Sequence, residues 1–171
     1  MYHHHIQFFT ATNLWWKKLL LQDKYKDIVI DSLRFLVEKQ RVKVHAFVIM
    51  PNHIHLMWRI DKAFLLQDVQ RDFLKFTAQQ IKFDLLDSDP ELLAQFEVNL
   101  RDRRYQFWER NPLSIDLYSP WVLKQKLRYI HRNPLQERWK LVDDECDYWY
   151  SSARFYSSGI DDFGFLTHYQ D

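Results

Sequence analysis

The sequence feature that most restricts the fold is a pair of strand-like runs joined by a two-residue turn. Residues 42–50 and residues 53–60 are both rich in β-branched and other apolar side chains, and Pro51-Asn52 between them supplies turn chemistry. Parallel neighbours need a crossover of a dozen residues or more, so a connection this short joins antiparallel strands. The sequence therefore predicts an antiparallel hairpin.

Further strands and helices are predicted on both sides of this hairpin. Residues 2–10 read as a first strand, and residues 101–109, which mix arginine with aromatic side chains, read as a last strand or extended segment. Apolar residues at helical spacing predict helices over residues 23–40, 65–86, 91–96 and 119–133. This order indicates an α+β fold, with an antiparallel sheet and helices packed mainly on one face.

The composition supports one folded domain. Apolar residues make up 47% of the 171 residues and aromatic residues 17%, which is far from the profile of disordered chains. We expect a single domain over residues 1–156, followed by a mobile acidic tail over residues 157–171. Both glycines, Gly159 and Gly164, lie near the C-terminus, so P-loop and dinucleotide-binding folds are disfavoured.

The compartment is predicted from cysteine usage and from the absence of targeting signals. The single cysteine, Cys146, cannot form an intramolecular disulfide, and residues 1–5 lack the regions of a signal peptide. No uncharged apolar stretch approaches the roughly 20 residues that cross a bilayer. We expect a cytoplasmic protein without membrane contact. The histidines at positions 3–5 run directly into the first predicted strand, and we give them little functional weight.

The net charge of +1 conceals an uneven distribution along the chain. Basic residues dominate residues 119–140, whereas acidic residues dominate residues 141–171. A basic block followed by an acidic segment is compatible with an anionic ligand such as nucleic acid, and with a tail that partly screens the site. Two ordinary solvated faces would give the same pattern, so charge alone does not identify a ligand.

His53 and His55 form a candidate metal-binding pair on the second strand of the hairpin. Side chains at positions i and i+2 of a strand point to one face, so the two imidazoles are expected side by side while Ile54 points into the core. Imidazole with amide or carboxylate oxygens can hold Mg²⁺ or Mn²⁺, so the pair does not identify the metal. Taken alone, such a pair is weak evidence for a metal site, because a structural role is the more common one.

Tyr129 and Asn133 are candidate partners of the histidines on the last predicted helix. The buried stripe of this helix is formed by Leu123, Leu127 and Ile130. At about 100° per residue, Tyr129 and Asn133 lie together at the rim of that stripe, and Lys126 shares their flank. Asn133 could complete the metal site while Tyr129 presents its hydroxyl. The alternative is that Tyr129 is an amphipathic rim residue and Asn133 only ends the helix.

Four blocks of the sequence resemble single-tyrosine HUH transposases, in the order found in that family. The first is Phe-Val-Ile-Met-Pro-Asn-His-Ile-His-Leu-Met-Trp at residues 47–58. The others are Tyr-Gln-Phe-Trp-Glu at 105–109, Tyr-Ile-His-Arg-Asn-Pro at 129–134 and Asp-Tyr-Trp-Tyr-Ser-Ser at 147–152. The sequence is most similar to the REP-associated tyrosine transposase (IS200-like) branch. Four ordered blocks are far more specific than any one of them.

The resemblance implies a ferredoxin-like HUH core and assigns roles to site residues. It implies that Tyr129 is catalytic, that His53 and His55 bind the metal, and that Asn133 is a third ligand where related transposases often carry glutamine. The segment at residues 110–113, Arg-Asn-Pro-Leu, departs from the family pattern, which commonly has a longer basic-apolar strand there. The strand boundaries in this stretch are therefore open.

The reaction implied is cleavage and rejoining of single-stranded DNA through a 5′-phosphotyrosine intermediate, with Mg²⁺ or Mn²⁺ as cofactor. The resemblance implies DNA with hairpin structure as the partner, and a homodimer is one way to supply a second tyrosine. Candidate DNA contacts are Arg101, Arg103, Arg104, Lys126, Arg128 and Arg132. Two alternatives stay open: a replication-initiator-like nickase, and a domesticated regulator that binds nucleic acid without cutting it. A linked tyrosine at Tyr148, Tyr150 or Tyr156 would move the chemistry to the C-terminal block.

Overall fold

The computed structural model describes residues 5–171 of the chain. In chain order its strands and helices are β1 (Ile6–Thr12), α1 (Asp23–Glu38), β2 (Val42–Ile49), β3 (His53–Ile60), α2 (Leu66–Ser88), α3 (Pro90–Ala94), β4 (Glu97–Leu100), β5 (Arg103–Tyr105), β6 (Leu113–Leu117), α4 (Pro120–Arg132) and α5 (Ala153–Ser158). The predicted first strand began at residue 2. Its first three residues lie outside the described range, as do the histidines at positions 3 and 4.

The main sheet contains four strands in the order β2-β3-β1-β6, and every neighbouring pair is antiparallel. The predicted hairpin of β2 and β3 is confirmed. β1 lies beside β3, with Thr12 opposite His53 and Thr10 opposite His55. The register of this central pair therefore decides which side chains surround the two histidines.

The two faces of the sheet are covered by different helices. On one face Ile54 packs in a cluster with Leu33 of α1 and Phe73 of α2. On the other face Met57 packs in a second cluster with Ile130 of α4. The predicted placement of the helices mainly on one face holds for α1, α2 and α3, whereas α4 covers the opposite face. Because strand side chains alternate, the face of α4 is also the face of His53 and His55.

Local sequence explains where α2 ends and where α3 and α4 begin. Asp89 precedes Pro90 and leaves the helical conformation, which ends α2, and its side chain accepts a hydrogen bond from the Leu92 N–H to cap α3. Ser119 caps α4 by accepting from the Trp121 N–H at 3.2 Å, with a proline at the first helical position. The predicted start of α4 is confirmed.

The predicted last strand over residues 101–109 was wrong in its placement. β4 and β5 form a separate two-stranded hairpin, with residues 101 and 102 in its turn. The fourth strand of the main sheet is β6, which pairs along β1 from Leu113 opposite Thr10 to Leu117 opposite Ile6. β6 is a short edge strand that follows Asn111, whose φ of 57° turns the chain, and Pro112. It is only five residues long, which is too short for its alternating pattern to predict a strand.

The predicted mobile tail over residues 157–171 is replaced by a packed segment. Phe163 and Phe165 are buried, and the ring of Phe163 lies 5.0 Å from that of Phe47 on β2. The Thr167 N–H donates to the Val44 carbonyl at 2.9 Å. The acidic character of the segment suggested solvent, but its two phenylalanines supply apolar surface that the edge of the sheet buries.

Within residues 5–171 no helix is both long enough and apolar enough to span a bilayer.

Candidate active site

β3 presents two histidines to the face that α4 covers. The ring centroids of His53 and His55 lie 4.8 Å apart, and both side chains are buried. Ile54 between them belongs to the cluster on the opposite face. The predicted side-by-side arrangement of the imidazoles is confirmed, and it follows from strand alternation.

Asn52 orients the imidazole of His53. Its Nδ2 donates to the Trp16 carbonyl at 3.1 Å, so its Oδ1 is the atom that faces His53 Nδ1, at 2.7 Å. An amide oxygen only accepts, and therefore the proton of His53 resides on Nδ1. The lone pair on Nε2 is left free, which is the arrangement that outer hydrogen-bond partners impose on metal-binding histidines.

The Thr10 hydroxyl holds the imidazole of His55 through its Nδ1 atom. The Thr10 hydroxyl lies 2.7 Å from His55 Nδ1, across the β1–β3 pairing. His55 Nε2 is buried and has no hydrogen-bond partner within residues 5–171. A buried polar atom without a partner costs about 1–3 kcal/mol, so this nitrogen is a candidate ligand atom.

Burial keeps both histidines neutral. It lowers the pKa of His53 to about 4, with a further lowering by the charge of Arg138 and an opposing effect of the Asn133 contact. Burial also lowers the pKa of His55 to about 3, and electrostatic interactions with His53, Lys126 and Arg138 lower it further. At neutral pH both imidazoles are in the form that binds metal ions.

The last turns of α4 bring Tyr129 and Asn133 to the histidines. The Tyr129 ring centroid lies 5.2 Å from that of His55, and the tyrosine is 40% exposed. Asn133 Oδ1 lies 3.3 Å from His53 Nε2. Tyr129 lies at the rim as predicted, but Asn133 is completely buried, at the start of a short helix over Asn133–Leu135 that follows α4.

The donor atoms fit a divalent metal ion. With its proton on Nδ1, His53 faces the Asn133 oxygen with a lone pair, so two acceptors meet without a hydrogen between them. The Asn133 Nδ2 has no partner among the described residues either. No three His, Cys, Asp or Glu side chains cluster in that range, so an amide would be the third ligand. Two imidazoles and one amide oxygen leave open coordination positions, as in catalytic rather than structural sites.

Three of the predicted basic residues lie on α4 near Tyr129. Lys126 Nζ is 4.8 Å from the ring centroid of Phe8 and 5.7 Å from that of Tyr129. Arg128 and Arg132 line a cavity of about 400 Å³ together with Tyr129. Their positive charges therefore surround the exposed side of the tyrosine.

The other three predicted basic residues lie on a different surface. Arg101 is in the turn of the β4–β5 hairpin, and Arg103 and Arg104 line a groove of about 1220 Å³ between this hairpin and α2. Arg103 is paired with Asp102, and Arg104 with Glu97. The groove lies on the α2 side of the sheet, whereas the histidines face α4. Its other basic lining residues are Arg71, Lys75, Lys82 and Arg110.

The three C-terminal tyrosines considered as alternatives are engaged elsewhere. Tyr148 donates to the Ile49 carbonyl, Tyr150 to the Asp27 carboxylate at 2.8 Å, and Tyr156 to the His45 carbonyl at 2.7 Å. Burial raises the pKa of all three hydroxyls, that of Tyr156 to about 12. Their hydrogen bonds make them poorer nucleophiles than the exposed Tyr129.

Sequence reasoning missed the residues that orient the site. Asn52 was read only as part of a turn, although its position directly before His53 was a usable signal. Thr10 is brought to His55 by a register that no local pattern specifies. Trp139, whose ring centroid lies 5.9 Å from that of His53, had no signal beyond being an aromatic residue after the basic helix.

The topology and the site together define a ferredoxin-like HUH core: a β-α-β-β-α-β arrangement in which a His-hydrophobic-His strand faces a tyrosine-bearing helix. A solved structure with this fold is a REP-associated tyrosine transposase bound to a REP hairpin. The similarity has a TM-score of 0.68 at 17% identity and covers 100% of this chain and 91% of that chain.

A candidate transposase from Deinococcus radiodurans R1 is similar over 77% of this chain and 92% of its own, at 16% identity. Its TM-score of 0.48 is too low to carry an argument. No protein-family model matches the sequence, and no curated protein matches it. The comparisons therefore establish the fold.

Proposed function

We propose that this chain is a DNA transposase that cleaves and rejoins single-stranded DNA through a covalent tyrosine intermediate. The observation that carries the proposal is the convergence of Tyr129, His53, His55 and Asn133 at one point between β3 and α4. A shared fold with a REP-associated tyrosine transposase supports it. A nucleophile beside three metal-type ligands is the arrangement that phosphodiester transesterification needs.

Tyr129 is the nucleophile in this reaction. A bond forms between its oxygen and the phosphorus, and the bond from phosphorus to the 3′ oxygen breaks. The phenolic proton passes to solvent, which reaches the partly exposed side chain, and the departing 3′ oxygen takes up a proton. The product is a 5′-phosphotyrosine link, and attack by another 3′ hydroxyl reverses the step. Lys126, beside the ring, favours the negative charge that develops on the phenolic oxygen.

His53, His55 and Asn133 would hold the cofactor, for which we propose Mg²⁺ or Mn²⁺. When bound, such an ion supplies Lewis-acid stabilisation of charge on the phosphate and on the leaving 3′ oxygen. Asn52 and Thr10 hold the two imidazole rings through their Nδ1 atoms before any ion arrives, which leaves both Nε2 atoms available as ligands. Preorganised ligands of this kind avoid a rearrangement during the reaction.

Single-stranded DNA with hairpin structure is the proposed substrate. Lys126, Arg128 and Arg132 supply positive charge beside Tyr129, where the scissile phosphate lies in this proposal. The similar transposase was solved with a REP hairpin, which supports a hairpin as the folded part of the substrate. Arg101, Arg103 and Arg104 are proposed to contact DNA outside the cleavage point, along their groove. With one tyrosine per chain, two cleavages need a second protomer or a second round.

The test is to incubate the protein with labelled single-stranded hairpin DNA and Mn²⁺ and to look for a covalent adduct on a denaturing gel. We expect an adduct with wild type and none with Tyr129→Phe. Tyr118→Phe is the matched control, because Tyr118 is also an exposed tyrosine but is not part of the site, and it should give a normal yield. An adduct formed by Tyr129→Phe would show that the assignment is wrong.

The same experiment distinguishes the two alternatives. A nickase of the replication-initiator kind would form the adduct and reseal the strand that it cleaved, but would not transfer it to a separate second strand. A regulator that only binds DNA would form no adduct with any metal, and its affinity for DNA would not change on chelation. Adduct formation followed by strand joining supports the transposase.

A further inference from the structure

Trp15 and Trp16 combine two features that the proposed chemistry does not explain. Their side chains are 52% and 70% exposed. Their φ angles are 54° and 60°, in the left-handed region that bulky side chains rarely occupy. Two successive indoles held in strained backbone and presented to solvent suggest a surface kept for a ligand.

The strained turn is held by its surroundings. The Trp15 N–H donates to the Glu109 carboxylate at 2.6 Å, and the Leu14 N–H donates to the Phe107 carbonyl at 2.8 Å. The buried side chain of Leu14 anchors the turn to the core. The conformation of the two tryptophans is therefore set by the body of the protein before any ligand binds.

The turn is connected directly to the candidate metal site. The Trp16 carbonyl accepts from Asn52 Nδ2 at 3.1 Å, and Asn52 Oδ1 accepts from His53 Nδ1 at 2.7 Å. Two hydrogen bonds thus join the backbone of Trp16 to the imidazole of His53. A ligand on the indoles lies beside the place where the proposed reaction occurs.

Cations and a third aromatic ring lie near the turn and the site, and one of these cations, Lys17, also donates to Gln95 Oε1 at 3.3 Å. Lys17 Nζ is 5.8 Å from the ring centroid of Trp15, and Lys18 Nζ is 5.7 Å from that of Trp139. The Arg138 guanidinium is 5.8 Å from the Trp139 ring, which in turn lies 5.9 Å from His53. The Glu109 carboxylate also lies at the turn, where it accepts the Trp15 N–H. Cations among aromatic rings match the phosphates and bases of an unpaired strand.

We propose that Trp15 and Trp16 form a stacking platform for unpaired bases next to the cleaved phosphodiester, with Lys17 and Lys18 facing the phosphates. This inference rests on the proposed function and adds the substrate's unpaired segment to it. Every base has a face that can stack on an indole, so the platform accepts single strands of varied sequence. Paired bases in a duplex have no free face, and the platform therefore selects against duplex DNA.

The test measures the affinity of a single-stranded oligonucleotide and of a blunt duplex of the same sequence by fluorescence anisotropy. Binding is measured in the Tyr129→Phe background with chelator present, so that neither cleavage nor metal affects it. The variants are Trp15→Ala, Trp16→Ala and the corresponding Phe changes. Trp149→Ala is the control, because Trp149 is 47% exposed and packs on Phe163, in the cluster on the opposite face of the sheet.

We expect each alanine change to weaken single-strand binding about tenfold, and the phenylalanine changes and Trp149→Ala to have little effect. Duplex binding should stay nearly constant in all variants. In an oligonucleotide that carries 2-aminopurine at one position, stacking on an indole quenches the fluorescence of this base. The position at which the quenching is lost in a variant with both Trp15→Ala and Trp16→Ala is the position of the stacked base. Unchanged single-strand affinity, or an equal loss for duplex, would overturn the platform.

The outcome is independent of the proposed cleavage. If wild type forms an adduct but the alanine variants bind normally, the platform is wrong and the transposase proposal stands. If no adduct forms but single-strand binding depends on the indoles, the platform stands and the chemistry is wrong. A circular dichroism melt of each variant checks that exposed positions were changed without unfolding.

Discussion

Each of the two buried histidines reaches the site with its Nδ1 already engaged, so the chain itself determines which nitrogen is offered. Asn52 does this for His53 from the turn, and Thr10 does it for His55 from the neighbouring strand. The cost is a buried nitrogen on His55 without a partner among the described residues. Such an orphan is expected at a functional site, where a ligand rather than the fold satisfies it.

Asn52→Ala should weaken Mn²⁺ binding by about ten- to 100-fold, because the imidazole of His53 loses the acceptor that fixes its tautomer. Asn52→Asp is the comparison variant: it keeps an oxygen facing His53 Nδ1, loses the donor to the Trp16 carbonyl and adds a negative charge, so it should bind Mn²⁺ more tightly than Asn52→Ala does. Isothermal titration of the Tyr129→Phe protein with Mn²⁺ measures both. Equal affinities for the alanine variant and the parent would mean that Asn52 does not orient the ligand.

His45 provides a pH-dependent contribution to stability away from the candidate site. Burial lowers its pKa to about 4, against an opposing hydrogen bond to the Thr167 carbonyl. Between about pH 4 and pH 6.5 the unfolded chain binds more protons than the folded one, so the folded state loses stability as pH falls through this window. The contribution is complete above about pH 6.5 and amounts to roughly 3 kcal/mol.

Urea unfolding of wild type and of His45→Gln at pH 7.5 and pH 4.5 measures this contribution. The free energy of unfolding should fall less on acidification in the variant than in wild type. Other buried histidines, such as His131, act in the same direction and affect both proteins equally. Parallel pH profiles for the two proteins would contradict the assignment to His45.

At the scale of elements, sequence patterns predicted those that carry their own signals. β3 and α4 were predicted closely because alternation, a proline turn and a capped start are local properties. β6 was missed because it is a short edge strand whose partner, β1, lies at the other end of the chain. The burial of Asn133 was missed for a related reason, since helical periodicity cannot show where the chain turns after the helix ends.

The turn at residues 13–16 also escaped prediction, and its strain leads to a test of stability. Trp16→Gly should leave the free energy of unfolding unchanged or raise it by up to about 1 kcal/mol, because glycine accepts a positive φ and the relief outweighs its greater chain entropy. Trp121→Gly, at an equally exposed position in the first turn of α4, should instead lower the free energy of unfolding by about 0.5 kcal/mol. Chemical denaturation of both variants gives the comparison, and a clear loss at Trp16 would mean that the indole itself stabilises the turn.

At the scale of the whole molecule, the sheet separates stability from chemistry. Its α1–α2 face holds the larger apolar cluster, which includes Ile54, Trp58 and Phe73. Its α4 face holds the histidines, the exposed tyrosine and a smaller cluster around Met57. β3 contributes side chains to both faces of the sheet. The large apolar cluster on the α1–α2 face therefore holds this strand in place, and with it the histidines on the α4 face.

The C-terminal segment belongs to this core, which changes the expected effect of removing it. The charge pattern is compatible with an acidic tail that screens the basic helix, but Phe163 and Phe165 are buried against β2. Phe165→Ala should lower the free energy of unfolding by about 3 kcal/mol or more, whereas Ile160→Ala, at an exposed position of the same segment, should change it by less than about 0.5 kcal/mol.

Truncation after Tyr156 should therefore destabilise the whole chain rather than simply strengthen DNA binding. Removing the segment exposes Phe47 and frees the Val44 carbonyl at the edge of the sheet, where an unpaired strand also invites association between molecules. Thermal unfolding and light scattering of the truncated protein measure both effects. A truncated chain that stays monomeric, melts like wild type and binds DNA more tightly would show that the segment screens the basic helix and is not needed for stability.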